Sequence, residues 1–307
     1  MALLIVSGLN VRVGGKSALW DVDLEIGFGE IVGVFGRSDS GKTTLARIVA
    51  GLDEPTSGEI EFGDEEDPRD FHVSLALSAP AAAAELTVYE HLDMFASLWG
   101  VPKRKRSRDI AFLLELLSLS DRRSTRTSTL SSGAARRLEL ARALVADSPL
   151  TVIDSLLDSL APEVLERLWD HLLALRRTQA KSFLVMTSSS RVAELCGRMA
   201  VLHRGRVGFV GRPDDFRRLA GEDLVVLGEM NNPMLRSRIE ERLSVVIKEE
   251  DGFLSFRVAN GERMVSDLLA EFGSDVGCVY LKRPTLEDAL EVLASGGSMV
   301  AVSADSG

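Results

Sequence analysis

Cysteine is nearly missing from this chain: Cys196 and Cys278 are the only two in 307 residues, and no C-x-x-C occurs. That excludes a disulfide framework and a cysteine zinc site. The four histidines, His72, His91, His171 and His203, show no ligand spacing either. Positive charge is in the minority, with 36 Lys and Arg against 46 Asp and Glu and a net charge of −10. Such a balance argues against non-specific binding to nucleic acid or to an anionic membrane, so no nucleic-acid partner is expected. Long apolar runs are lacking as well, since no stretch approaches the ~18 apolar residues that cross a bilayer. Leu3-Leu4-Ile5-Val6 is too short for a signal segment, has no basic stretch before it, and reads as a first strand. What remains, 45% hydrophobic and 27% charged residues, is the composition of a globular protein long enough to bury a full core. The expectation is a cytoplasmic chain, for which any work at a membrane requires other subunits to supply the spanning helices.

Against this background one segment stands out. Gly36-Arg37-Ser38-Asp39-Ser40-Gly41-Lys42-Thr43-Thr44 fits the phosphate-loop pattern G-x-x-x-x-G-K-[ST]. In such a loop consecutive backbone N–H groups and a helix N-terminus wrap the phosphates, Lys42 reaches the terminal ones, and the Thr43 hydroxyl ligates Mg²⁺. The flanks agree: Glu30 to Phe35 is a buried-strand pattern, and Leu45 to Ala50 reads as a helix. A nucleotide-binding architecture follows.

Three regions separate along the chain. Residues 1 to about 220 alternate strand and helix signals, as a largely parallel α/β layer structure would. Within them a helical subdomain spans about 86–140; Pro102 breaks it beside the basic run Lys103 to Arg108, which reads as a solvated face. From 221 to 294 the order becomes strand (Leu224–Leu227), helix (Met234–Leu243), strand (Val245–Lys248), strand (Phe253–Val258), helix (Glu262–Phe272), strand (Val276–Leu281), and a last helix after Pro284. This β-α-β-β-α-β order predicts a small α+β, ferredoxin-like C-terminal domain. Residues 295–307 are small and polar and read as a flexible tail.

The downstream motifs carry a family resemblance. Leu130-Ser131-Ser132-Gly133-Ala134, with the helix Arg137 to Leu144 after it, resembles the signature motif of ABC transporter ATPases, and Leu150 to Asp154 resembles their Walker B strand. Gly51 to Ile60, Leu86 to Leu92 and Ala200 to Arg206 are similar to further stretches of that family, so the likeness covers nearly all of residues 1–220. Arg283-Pro-Thr-Leu-Glu-Asp-Ala-Leu290 resembles the C-terminal extension of ATPases that serve ABC-2-type exporters. The resemblance implies a P-loop NTPase of the ABC ATPase type that takes ATP and Mg²⁺, with Thr43 and Asp154 as the Mg²⁺ ligands. It also implies two kinds of partner, transmembrane permease subunits and a second ABC ATPase subunit. The chain would then sit peripherally at the inner face of the membrane.

Several positions depart from the family pattern. Ser155 stands where the Walker B glutamate would position the attacking water, and a serine hydroxyl is no useful base near neutral pH. Ser188 occupies the switch-histidine position and Ser78 the Q-loop position. Val13 lies where an aromatic would stack on adenine, and Ala161 replaces the D-loop aspartate. Asp39 holds a place that is usually glycine, bringing a like charge toward bound phosphate. Asp158, four residues after Asp154, reads as a turn or capping residue rather than a substitute base. Since two such ATPase domains pair head to tail, Ser131 and Gly133 would complete a partner's site while this chain's own site stays slow or silent. The alternatives are a homodimeric ATPase of low activity and a non-transport, nucleotide-sensing regulatory module.

Overall fold

The computed structural model describes residues 2–63, 72–77, 85–230, 234–243, 245–250, 252–273 and 275–295. The expected flexible tail lies outside these from residue 296 onward. The chain divides into two compact units at Pro213/Asp214. The first opens with a hairpin, β1 (Ala2–Val13) and β2 (Lys16–Gly27), and β4 (Ser57–Phe62) joins the free edge of β1 antiparallel. The result is a three-stranded layer in the order β2-β1-β4.

The second layer is a six-stranded sheet in the order β5-β6-β7-β3-β8-β9. Its strands β3 (Ile31–Phe35), β5 (Val73–Ala76), β6 (Leu150–Asp154), β7 (Ser182–Thr187) and β8 (Arg198–His203) run parallel, and only β9 (Arg206–Gly211) is antiparallel. Parallel strands are covered on both faces, and accordingly β3, β6 and β7 are buried at every position. Successive side chains of β7 enter different cores. Leu184 and Met186 join Val32 and Val34, the first layer, and Leu45 and Val49 of α1 (Lys42–Val49). Phe183 and Val185 join Ile153 and the helical side of the sheet.

That helical side comprises α2 (Val88–Leu98), α3 (Lys103–Leu116), α4 (Ser132–Val145) and α5 (Pro162–Gln179), with the short α6 (Ser190–Leu195). Its boundaries follow from capping chemistry. Thr87 and Glu90 form a reciprocal capping box at the start of α2, with Thr87 N–H donating to Glu90 Oε2 at 2.8 Å. Pro162 opens α5 at a position where its missing N–H costs nothing. The basic run forms the first turns of α3, where Lys105 pairs with Asp147 at 3.5 Å and Arg106 with Asp93 at 3.6 Å.

Among the described residues, three side chains keep a buried nitrogen without a partner, Arg106 and Arg137 at Nε and His91 at both ring positions. His91 of α2 is fully buried, and neither ring nitrogen finds a hydrogen-bond partner among the described residues. Burial, reinforced by Arg142, pushes its pKa down from 6.5 to about 4. The neutral form is therefore the folded one, and stability is lost as pH falls through the window from 6.5 to 4, by about 3 kcal/mol in all. We expect His91→Leu to remove that part of the acid sensitivity. The check is denaturant unfolding of both proteins between pH 7 and 4; parallel stability curves would rule the effect out.

The second unit holds α7 residues from Asp214 onward (α7 is Pro213–Arg218), followed by β10 (Asp223–Met230), α8 (Leu235–Leu243), β11 (Lys248–Glu250), β12 (Phe253–Val258), α9 (Gly261–Phe272), β13 (Val276–Lys282) and α10 (Leu286–Ala294). The sheet is antiparallel throughout, in the order β11-β12-β10-β13, which is the ferredoxin-like arrangement. Val225, Leu227, Leu254, Phe256, Leu268 and Phe272 form its core. One strand is shifted from the sequence expectation, and β10 runs on to Met230 past the expected Leu227. The strand expected at Val245–Lys248 lies at Lys248–Glu250, because the tight hairpin sets Glu250 opposite Phe253 and Lys248 opposite Ser255. The apolar Val245 and Ile247 that suggested the earlier start pack from the connection instead.

Candidate nucleotide-binding site

Four parallel strands end at one place. The carboxyl ends of β3, β6, β7 and β8 deliver Gly36, Asp154, Thr187 and His203, the edge at which open α/β sheets bind ligands. Between β3 and α1 the phosphate loop is shaped by its glycines. A Cβ on Gly36 would lie 2.2 Å from Leu202 O, and Gly41, with φ of +108°, would place one 2.8 Å from Ala18 O. Asp39 sits at φ of +62°, a left-handed angle that Asp tolerates better than most residues, and its side chain is exposed.

Lys42 is buried and folds back over the loop, donating from Nζ to Gly36 O at 2.8 Å and Arg37 O at 2.7 Å. Burial holds its ammonium below the usual lysine range, against the pull of Asp154, Asp158 and Asp39. Thr43 Oγ1 donates to Asp154 Oδ2 at 2.7 Å across from the end of β6. These two oxygens are the pair expected to hold Mg²⁺, and their contact places both at one point. A loop whose two glycine positions admit no side chain, a buried cation, and a hydroxyl–carboxylate pair together fit a Mg-nucleotide.

Serines follow β6 and β7 at the positions expected to differ from the family pattern. Ser155 follows at φ of +57°, with its N–H on Met186 O at 2.9 Å and its Oγ on Asp154 Oδ1 at 3.1 Å. Asp158 lies in the turn after β6 as expected, and it does more than cap. It accepts from the Thr187 hydroxyl and, at 2.9 Å, from Ser188 N–H. It thereby ties the turn after β6 to the segment after β7. A cavity of about 580 Å³ is lined by Ser38, Asp39, Lys42, Thr43, Ser155 and Ser188, among others. Asp39 is the only carboxylate lining it among the described residues; Ser155 and Ser188 contribute hydroxyls, and Lys42 and Arg204 are the cations.

Other sequence-predicted positions lie elsewhere. Ser131 is the N-cap of α4 and accepts from Ala134 N–H at 3.3 Å, while Ser132 and Gly133 in the first turn are exposed. Leu130 anchors this turn by packing against the helical core. Val13, at the end of β1, is 60% exposed and is not among the residues lining the cavity. Ser78 lies outside the described residues. Sequence reasoning missed one wall entirely, made of Ser17 and Ala18 on β2 and Arg204 and Gly205 after β8. The Arg204-Gly205 turn between two strand patterns was the available signal.

A family model described as "ABC transporter" matches residues 19–157. The chain is 31% identical to the Nod factor export ATP-binding protein I of Rhizobium johnstonii over 68% of each chain. It is 30% identical to the methionine import ATP-binding protein MetN of Ralstonia nicotianae, over 92% of this chain and 87% of that protein. Among solved structures, the ATP-binding subunit of an ABC transporter superposes with a TM-score of 0.64 at 28% identity, covering 71% of this chain and 93% of that one. A dimeric ATP-binding cassette bound to ADP and Pi, 24% identical with a TM-score of 0.59 over 66% and 96%, shares the fold. On this likeness the chain belongs to the ATP-binding subunits of ABC transporters.

Proposed function

We propose that this chain is the catalytically silent ATP-binding subunit of an ABC-2-type exporter, paired with a competent ATPase subunit and docked on transmembrane permease subunits at the inner face of the membrane. The observation that carries the reading is the composition of one cavity. Lys42, Thr43 and its partner Asp154 keep the means to hold Mg-ATP, while Ser155 and Ser188 face the same space where a general base and a γ-phosphate contact belong. In this reading the nucleotide in the chain's own site serves to hold two ATPase domains together. Ser131 and Gly133, at the start of α4, complete the partner's site.

The exporter assignment draws on the Arg283 to Leu290 segment and on a relative named for Nod factor export. Relatives named for methionine and for sulfate/thiosulfate import support the broader transporter reading. The test is purification of the tagged chain from its native host, with identification of what accompanies it. The expected companions are an ABC ATPase with glutamate after its Walker B aspartate and a permease with about six spans of ~20 apolar residues. Recovery as a homodimer that hydrolyses ATP would replace this reading with the low-activity homodimer.

A further inference from the structure

We propose that Arg204 is a polyphosphate-binding residue of the nucleotide site, supplying a cation that offsets Asp39. The inference rests on the reading that this chain holds nucleotide. Arg204 stands at the end of β8 with φ of +48°, an angle uncommon for a residue with a Cβ. The turn carrying it is fastened from two sides. Gly205 N–H donates to Ser40 O of the phosphate loop at 2.9 Å, and Trp20 N–H donates to Gly205 O at 2.8 Å. No slack remains between turn and β2, because a Cβ on Gly205 would lie 2.6 Å from Ala18 O. The backbone of Arg204 is thus fixed relative to the loop that cradles phosphate.

Arg204 lines the same cavity as Lys42, Thr43 and Asp39. It is exposed and has no hydrogen bond or ion pair among the described residues. Arg47, by contrast, pairs with Asp53 at 2.5 Å and Arg198 with Glu30 at 2.7 Å. Arg104, Arg108, Arg136 and Arg177 are likewise unpaired among the described residues, but they do not line this cavity. A cation left unpaired beside a phosphate loop matches a ligand carrying several negative charges. Positive potential at this end also registers on His203, which burial, then Arg204 and Arg37, hold below the ordinary histidine range. Asp39 works in the opposite sense, since its carboxylate repels phosphate. With Arg204 present the charge that the cavity offers to a nucleotide is restored, so the loop tolerates an acid at this position.

Calorimetry of ATP, ADP and AMP binding, with Mg²⁺, to the unsubstituted chain, Arg204→Gln and Arg204→Lys provides the test, with circular dichroism to confirm folding. Arg204→Gln is expected to weaken ATP about tenfold, ADP less, and AMP hardly at all, while Arg204→Lys keeps part of the affinity. Adding Asp39→Gly to Arg204→Gln is expected to recover most of the loss. Unchanged ATP affinity in Arg204→Gln would make Arg204 an ordinary surface arginine and overturn the proposal while leaving nucleotide binding intact. Equal weakening of all three nucleotides would place the contact on the nucleoside and overturn the phosphate assignment. No binding by the unsubstituted chain would overturn the nucleotide-holding reading and the role of Arg204 with it.

Discussion

Purified alone, this chain is expected to turn over ATP about 10²–10⁴-fold more slowly than an intact cassette, and Ser155→Glu with Ser188→His is expected to recover much of that deficit. The size comes from the missing base. Ser155 lines the nucleotide cavity, so a carboxylate installed there would face the phosphates rather than solvent. Ser188 lines it as well, and its N–H is already anchored by Asp158 at 2.9 Å, so a histidine at 188 would start from a fixed backbone. Phosphate release is the measurement, with Lys42→Ala in the restored background as the control that must abolish it. Ordinary turnover by the unsubstituted chain, itself abolished by Lys42→Ala, would show that another group activates water and would end the silent-site reading.

The second large effect concerns the start of α4. In a reconstituted heteromer, Ser131→Arg is expected to abolish ATP hydrolysis, whereas Lys42→Ala is expected to lower it by at most a few-fold. Ser131 caps α4 by accepting from Ala134 N–H, so its side chain marks the point where helix N–H groups face outward. An arginine there both loses the cap, at about 1 kcal/mol, and fills the space that a partner's γ-phosphate needs. Lys42 serves only this chain's own loop, through Gly36 O and Arg37 O. Phosphate release from each heteromer separates the cases. Equal loss from both would mean the two sites work as one, and an inert Ser131→Arg would move the regulatory-module reading to the front.

How much of this was legible in the residues depends on how far apart the contacting groups lie in the chain. The phosphate loop was readable because its geometry is local: Lys42 reaches carbonyls only five and six residues away. The start of α4 was readable for the same reason, since Ser131 caps a helix that begins at the next residue. From the sequence Asp158 is a turn or capping residue. Its grip on Thr187 and Ser188 emerges only once β6 and β7 are known to be neighbours. The turn at Arg204-Gly205 is legible between two strand patterns, but its place against the phosphate loop is not, because Gly205 meets Ser40 through a sheet whose order does not follow the sequence. In the second unit the misplaced β11 has a different origin. Burial at Ile247 mimicked a strand, while the hairpin turn that actually sets the register carries no apolar signal.

The self-capped start of α4 has a kinetic corollary. Most loops that receive a ligand must first be ordered, and each immobilised group subtracts from affinity and slows productive encounter. Here Ser131 closes the first turn with its own hydroxyl, and Leu130 is seated against the helical core. Any phosphate-bearing surface that approaches this end therefore meets donors already aimed outward. The ordering cost falls on folding rather than on association, and what remains to be lost on docking is chiefly rigid-body freedom. In the proposed head-to-tail pairing, a cap that looks like housekeeping for one helix would also bear on how fast two chains engage.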